Sequence, residues 1–489
     1  MTHSPSPELT EDASSTASVK RPHPFLELVS SPYLLSSTLI CLGVGSHAVN
    51  GIVSNAVLPS IIRDIGGQDR AFWIFSLFQV ASIMSGTVTG TFKGRLGARS
   101  LFVLASLILA AGSLLAGAAS NLELLLVGRF LQGFGEGMIV AVIYAVIPQL
   151  FPERLVATVF SMTALVWAMA AGVGPIAAGA LTETWSWRAA YYVNLPLVLV
   201  LLVLAVTAMP KEEASSQKTS RKDLDMLPRL GLIALAILII SFVGEVRSVA
   251  EGALYLVGGM VLLFLARAWD RVAASPFIPK TAFQLNSIVG LVMWIMLLTA
   301  VSASVRMVYG NAILQSLWGL GVTEAAYAMA TLAFAWTIAA WFVANTQDAK
   351  ARARLISIGI SFIALALATM ALSLHLASLP LFVFACILSG VGSGLSNQFL
   401  TRSVMFSSSQ EDRDRASGIL PTLTNGGIAI GAALASLLAA IFGMSSTTTE
   451  ELVTAQAATS AGPTVFGIMA ILSAIAALLS FRLQKHLMQ

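Results

Sequence analysis

One carboxylate stands in the middle of a long apolar run: Glu136, within the stretch 122–148. Arg129, Gln132 and Glu136 follow at i, i+3 and i+7, a spacing that puts all three on one face of a helix. At a rise of about 1.5 Å per residue, Glu136 is roughly 20 Å from either end of its stretch, near the middle of a bilayer. A charge at that depth costs at least about 2.5 kcal/mol unless it meets a cavity or a partner, and such residues serve as proton relays and substrate contacts. Arg129 cannot shed its charge, so it needs water or an acceptor: it is either a counter-charge in a substrate cavity or a clamp on the backbone carbonyls of the first helix. His47 is a second candidate proton carrier, and Asn50 and Asn55 add polar groups to the same run, 34–58. Trp167, Trp294, Trp336 and Trp341 lie within apolar runs and are candidates to line an apolar cavity.

Catalytic chemistry finds no such support. The histidines (His3, His23, His47, His375, His486) form no pair at ligand spacing, and no nucleophile sits with a base. Cys41 and Cys386 both fall in apolar runs and read as free thiols. Neither a metal nor a cofactor is expected, and the reading as a membrane enzyme or scaffold is the weakest of those open.

These residues need elements that hold them inside a bilayer, and the composition supplies them. Of 489 residues 57% are hydrophobic and only 11% charged, against roughly 25% charged in a soluble domain. Most of the surface must therefore face something apolar. The net charge of +4 is too small and too dispersed to suggest a nucleic-acid partner. Apolar runs long enough to span fall near 34–58, 72–92, 100–119, 122–148, 157–180 and 189–209. Two more fall near 229–246 and 252–269, and six near 285–308, 322–345, 354–374, 379–402, 415–442 and 463–482. With both termini on the inside, 22 of the 28 lysines and arginines lie on inner segments. Five (Arg63, Arg70, Arg188, Arg247, Arg306) lie outside, and Arg129 sits within a span. The bias follows the positive-inside rule and supports about fourteen helices in the inner (plasma) membrane, with both termini cytoplasmic. The first 30 residues hold no apolar core and read as a solvated tail, so the first run would act as its own insertion signal.

The chain also repeats itself. Leu131-Gln132-Gly133-Phe134-Gly135-Glu136-Gly137 and Leu388-Ser389-Gly390-Val391-Gly392-Ser393-Gly394 share a Leu-x-Gly-x-Gly-x-Gly pattern displaced by 257 residues. The basic loops Lys93 to Arg99 and Lys350 to Arg354 recur at nearly the same displacement. No strand precedes the glycine strings, which excludes a nucleotide-binding loop; glycines at this spacing let helices approach closely. The organisation expected is a tail (1–30), a six-helix half (31–209), a linker (210–228), two extra helices (229–269), a loop (270–284), a second six-helix half (285–482) and a short tail (483–489). Duplicated halves of this kind hold a substrate between them at mid-membrane.

Several stretches in order resemble signatures of the major facilitator superfamily, in particular its fourteen-helix drug:proton antiporter branch. They are Asn55-Ala56-Val57-Leu58-Pro59, Gly128-Arg129-Phe130-Leu131-Gln132-Gly133, Gly174-Pro175-Ile176-Ala177-Ala178-Gly179, and Trp187-Arg188 with Asn194-Leu195-Pro196. Gly90, Arg95, Gly97 and Arg99 match the loop after the second helix, where Gly94 replaces the pattern's aspartate, and Asn50 stands where the branch usually has another aspartate. The resemblance implies an all-α fold of two six-helix halves plus two intervening helices. It implies a monomeric secondary transporter using alternating access, with Gly174, Pro175 and Gly179 supplying a bend. The activity implied is proton-coupled efflux of small, partly hydrophobic compounds. The alternative is a proton-coupled uptake symporter, or a uniporter, for a small metabolite or anion.

Overall fold

The computed structural model describes residues 24–66, 73–211, 225–244, 248–273, 276, 278–279, 281–407, 410–444 and 453–488. Fourteen long helices fill almost all of it: α1 (Leu34–Ile65), α2 (Trp73–Leu96), α3 (Ala98–Gly117), α4 (Leu122–Leu150), α5 (Glu153–Thr184), α6 (Asn194–Ala208), α7 (Met226–Ser241), α8 (Val249–Val272), α9 (Ile288–Trp318), α10 (Val322–Val343), α11 (Ala349–His375), α12 (Leu379–Ser407), α13 (Gln410–Phe442) and α14 (Gly462–Met488). No strand occurs among the described residues. Among the described residues, ten helices are long and apolar enough to cross a membrane, and shorter apolar stretches lie in Trp73–Gly86, Leu227–Ser241 and Tyr327–Val343.

The two halves pack alike. In the first, α4 lies against α2 and α3, and α1 against α5 and α6; in the second, α12 lies against α10 and α11, and α9 against α13 and α14. The glycine strings explain the match. A Cβ at Gly133 would lie 2.1 Å from the Phe78 carbonyl oxygen on α2, and one at Gly135 would lie 2.7 Å from that of Ala105 on α3. At the repeat positions, Gly390 meets the Leu332 carbonyl on α10 at 2.2 Å and Gly392 the Gly359 carbonyl on α11 at 2.5 Å. In a bilayer lipid is as apolar as leucine, so such close backbone packing, rather than hydrophobic burial, holds helices together. Large apolar side chains such as Leu199, Phe264 and Leu478 accordingly face outward.

The halves meet along two seams, α2 against α13 and α5 against α10. The extra helices α7 and α8 cover the first. A fully buried Arg229–Asp270 ion pair ties them together, and Asp270 also accepts from Ile278 N at 3.2 Å. On α8 only Gly252, Gly259, Ala266 and Asp270 are buried, one narrow stripe that leaves the rest of the helix to lipid.

One boundary differs from the sequence reading in a way that matters. The apolar run 285–308 suggested that α9 ends just after Arg306, placing that residue outside. The helix continues to Trp318, so Arg306 lies 12 residues, about 18 Å, before its end. Ser302, Ser304 and Arg306 mimic a span's end because they face the bundle rather than lipid; Ser302 and Ser304 are fully buried. Removing Arg306 from the outer set only strengthens the charge bias behind the topology.

Candidate functional site: a polar chain through the N-terminal half

Glu136 sits 14 residues from each end of α4, whose start is capped by Asn121 accepting from Leu124 N at 2.9 Å. With Gly133 and Gly137 pressed on α2 and Gly135 on α3, Glu136 reaches α1. Its carboxyl has no exposure and meets three polar side chains within one turn of that helix. The Ser46 hydroxyl donates to Oε1 at 3.3 Å, the Asn50 amide donates to the same oxygen, and Nδ1 of His47 lies 3.1 Å from Oε2. Each hydrogen bond to a charged group contributes about 1.5–3 kcal/mol, enough together to hold a carboxylate at this depth.

The chain of contacts continues in both directions. Asn50 and Asn194 exchange amide hydrogen bonds at 3.2 and 2.9 Å, and Asn194 also donates to Ser113 Oγ at 3.3 Å. Ser113 accepts from Gln132 at 2.9 Å, and Gln132 accepts from Arg129 at 3.0 Å. Arg129 donates to the Ile74 carbonyl at 3.1 Å, with its guanidinium 4.2 Å from the Phe78 ring centre. Residues on α1, α2, α3, α4 and α6 thus form one network. Asn194 enters it because the predicted span 189–209 breaks: Ala189–Tyr192 forms a short separate helix and α6 starts at Asn194. Pro196 falls in the first turn of α6, where a missing N–H costs nothing.

His47 is the member that opens to space, with 15% of its side chain exposed. Its ring stacks on Phe78 at 5.8 Å and meets the edge of Trp167 at 5.9 Å, and Trp167 is 41% exposed. The predicted group Glu136, His47, Asn50 and Trp167 is therefore brought together. Arg129 and Gln132 join through the network but are fully buried within the first half, and Arg129 clamps the Ile74 carbonyl of α2 rather than a carbonyl of α1. Trp294 is elsewhere, six residues into α9, donating to the Phe283 carbonyl at 3.0 Å. Trp336 lies half-buried midway along α10, with its backbone against Gly394. Asn55, Gly90, Pro175 and Gly179 are described only as helical backbone; their surroundings lie outside the described residues.

The remaining motifs act as fasteners. Gly97 has φ 74°, a left-handed turn open to glycine, and starts α3. Arg99 donates to the Met209 carbonyl and ties α3 to the end of α6; Arg95 is half-buried in the same loop. Gly174 is buried within α5. At the other end, Trp187 Nε1 and Arg188 Nη1 both donate to Asp64 at 3.0 and 2.6 Å, while Arg188 reaches the Ala119 carbonyl at 2.8 Å.

Among the described residues, five side-chain contacts join the halves. Arg402 pairs with Glu153, Gln347 donates to the Arg154 carbonyl at 3.4 Å, Ser161 to that of Ala340 at 3.2 Å, and Thr337 to that of Ala164 at 3.3 Å. Thr422 donates to the Ile83 carbonyl at 3.2 Å nearer mid-height. These five contacts all lie between mid-bundle and the end that carries both chain termini.

Two six-helix halves, the first with a polar network at the middle of its helices, define a polytopic membrane transporter. The chain belongs to the major facilitator superfamily, whose model matches residues 39–406 and again 295–487. A probable multidrug-efflux transporter of Mycobacterium tuberculosis is 27% identical over 409 residues, 81% of this chain and 84% of that protein. The multidrug efflux pump SdrM of Staphylococcus aureus is 24% identical over 357 residues, 71% and 76% of the two chains. Among solved structures, the human organic anion transporter MFSD10 aligns with a TM-score of 0.67 at 14% identity, covering 92% of this chain and all (100%) of that one. The proton:xylose symporter XylE aligns at 0.60 with the same 14% identity, covering 92% and 95%. At that identity both speak for the fold alone.

Proposed function

We propose that this transporter exports small, partly hydrophobic compounds in exchange for protons, with His47 and Glu136 as the proton-carrying pair. The observation that carries the reading is the direct contact between a slightly exposed imidazole and a wholly buried carboxyl at mid-helix. A proton taken up on the open side of His47 lets Nδ1 pass its own proton to Oε2, which neutralises Glu136. The neutral carboxyl then loosens its hold on Asn50, and through Asn194 and Ser113 that change reaches α6 and α3. The contacts at the termini end hold the halves together there, and opening at the opposite end would release a substrate outward and admit a proton. With both termini cytoplasmic in the plasma membrane, that direction is export. The names of the mycobacterial and staphylococcal relatives support efflux over uptake, and a monomer suffices, because the polar network closes within one half.

The test is transport in vesicles holding the purified protein, with a compound panel and an imposed pH gradient of either sign. Export requires uphill movement of at least one amphipathic compound opposite to the proton flow, reversing when the gradient reverses. Flux in the same direction as the proton, or flux indifferent to the gradient, excludes antiport and favours symport or uniport.

A further inference from the structure

The second half holds its own mid-membrane charge, and it differs from the first in having little to satisfy it. Arg306 lies deep in α9, and its Nη1 donates to Ser389 Oγ at 3.0 Å. Ser389 is the repeat counterpart of Gln132, displaced by 257 residues, so Arg306 lies near the level of Arg129 in the other half. The two arginines are unlike in every other respect. Arg129 is wholly buried, bonded to a carbonyl and to Gln132, and flanked by the rings of Phe78 and Tyr191. Arg306 has no carboxylate within ion-pair distance among the described residues, and it sits beside Cys386 and the Ser389 hydroxyl. Its remaining nitrogens are not among the walled-off, unbonded polar atoms of the structure. A guanidinium carries five N–H donors and stays charged, so at this depth its open nitrogens must face a water-filled space rather than hydrocarbon. A planar fork of donors with one hydroxyl bond made matches a carboxylate, sulfonate or phosphate group.

We infer that Arg306 is a substrate-binding residue that selects amphipathic compounds bearing an anionic group. The anion docks on Arg306 in the second half, and the apolar body extends toward the aromatic surface of Trp167 and His47 in the first. This names the substrate class of the export reading and rests on it, but its test does not.

Two fluorescent probes of nearly the same shape separate charge from apolar bulk: 1-anilinonaphthalene-8-sulfonate and its uncharged parent N-phenyl-1-naphthylamine. Saturable binding of each is titrated on the full chain in nanodiscs, with empty nanodiscs subtracted. The wild type should bind the sulfonate about tenfold more tightly than the neutral probe. Arg306→Gln should remove that preference and leave the neutral probe within about twofold, while Arg306→Lys keeps part of it and Ser389→Ala weakens it modestly. Equal loss of both probes in Arg306→Gln, or in Arg306→Lys should the glutamine variant not fold, would mean a packing role and overturn the inference. So would a wild type that binds the neutral probe equally well. Glu136→Gln measured alongside should leave the preference intact. Probe selectivity without proton-driven flux would then count against the export reading alone, and flux without selectivity against this inference alone.

Discussion

Nδ1 of His47 lies 3.1 Å from Oε2 of Glu136, joining a partly exposed imidazole on α1 to a carboxyl with no exposure on α4. The other two partners of Glu136, Ser46 and Asn50, are buried, so His47 is the route between it and water. His47→Gln keeps a hydrogen-bond donor but cannot carry the charge. It should lower proton-driven flux by about 100-fold, as loss of a positioned acid–base group does, while substrate binding changes less than about threefold. Uphill flux at the parent rate in this variant would remove His47 from the path.

Asn50 and Asn194 exchange both amide hydrogen bonds, so each removes a partner from the other when truncated. Asn50→Ala and Asn194→Ala should each destabilise the folded protein by about 1–3 kcal/mol, because a buried polar group is left unpaired. The double variant should lose less than the sum, with a coupling of about 1 kcal/mol in a double-mutant cycle read by reversible denaturation. Strict additivity would show that the amide pair carries no weight.

Gly133 and Gly390 occupy equivalent places in the repeat, each with a backbone carbonyl where a Cβ would go. Gly133→Ala and Gly390→Ala should both cut the yield of monodisperse protein sharply, since backbone cannot yield as a side-chain tip does. Gly94 meets nothing within 4 Å, so Gly94→Ala should purify at the parent yield. Equal yields for all three would refute the close-packing account of the glycine strings.

Much of this was legible in the sequence, for identifiable reasons. The repeat of Leu-x-Gly-x-Gly-x-Gly, the isolated Glu136 and the in-order motifs stand out against apolar surroundings, so fold and family could be read from residue types and Glu136 could be singled out, while its contact with His47 could not. Ser46 and Ser113 could not, because a serine in a span gives no sign of whether it bonds its own helix or another one. Asn194 showed only as part of a motif, and Asp64, the acceptor for Trp187 and Arg188, lies more than 120 residues away from them. Arg306 was detectable: subtracting the repeat displacement puts it at position 49, beside Asn50. It was misplaced because a charge near the end of an apolar run resembles a boundary. Trp294 carried no signal separating a cavity wall from a bond to the Phe283 carbonyl.

The contact between halves at Arg402 and Glu153 should act as a latch. Glu153→Gln should shift the population toward opening at the termini end and slow turnover by about fivefold, and the charge swap Glu153→Arg with Arg402→Glu should restore part of it. Single-molecule distances between dyes on the ends of α5 and α12 would report the shift; unchanged distances would make the pair incidental.

Topology has an independent check. A cysteine at Ser120, between α3 and α4, should label from outside in intact cells, and one at Ser216 only after the membrane is opened. Labelling of Ser216 from outside would invert the orientation and turn export into uptake.

The central claim is that Glu136 carries the coupling proton, and one substitution addresses it without changing the shape of the side chain. Glu136→Gln keeps an acceptor for Asn50 and Ser46 but cannot exchange a proton. In vesicles with an imposed pH gradient, this variant should bind substrate within about threefold of the parent. It should also exchange labelled for unlabelled substrate across the membrane, yet fail to move any against its concentration gradient. Uphill transport by Glu136→Gln at the parent rate would contradict the account.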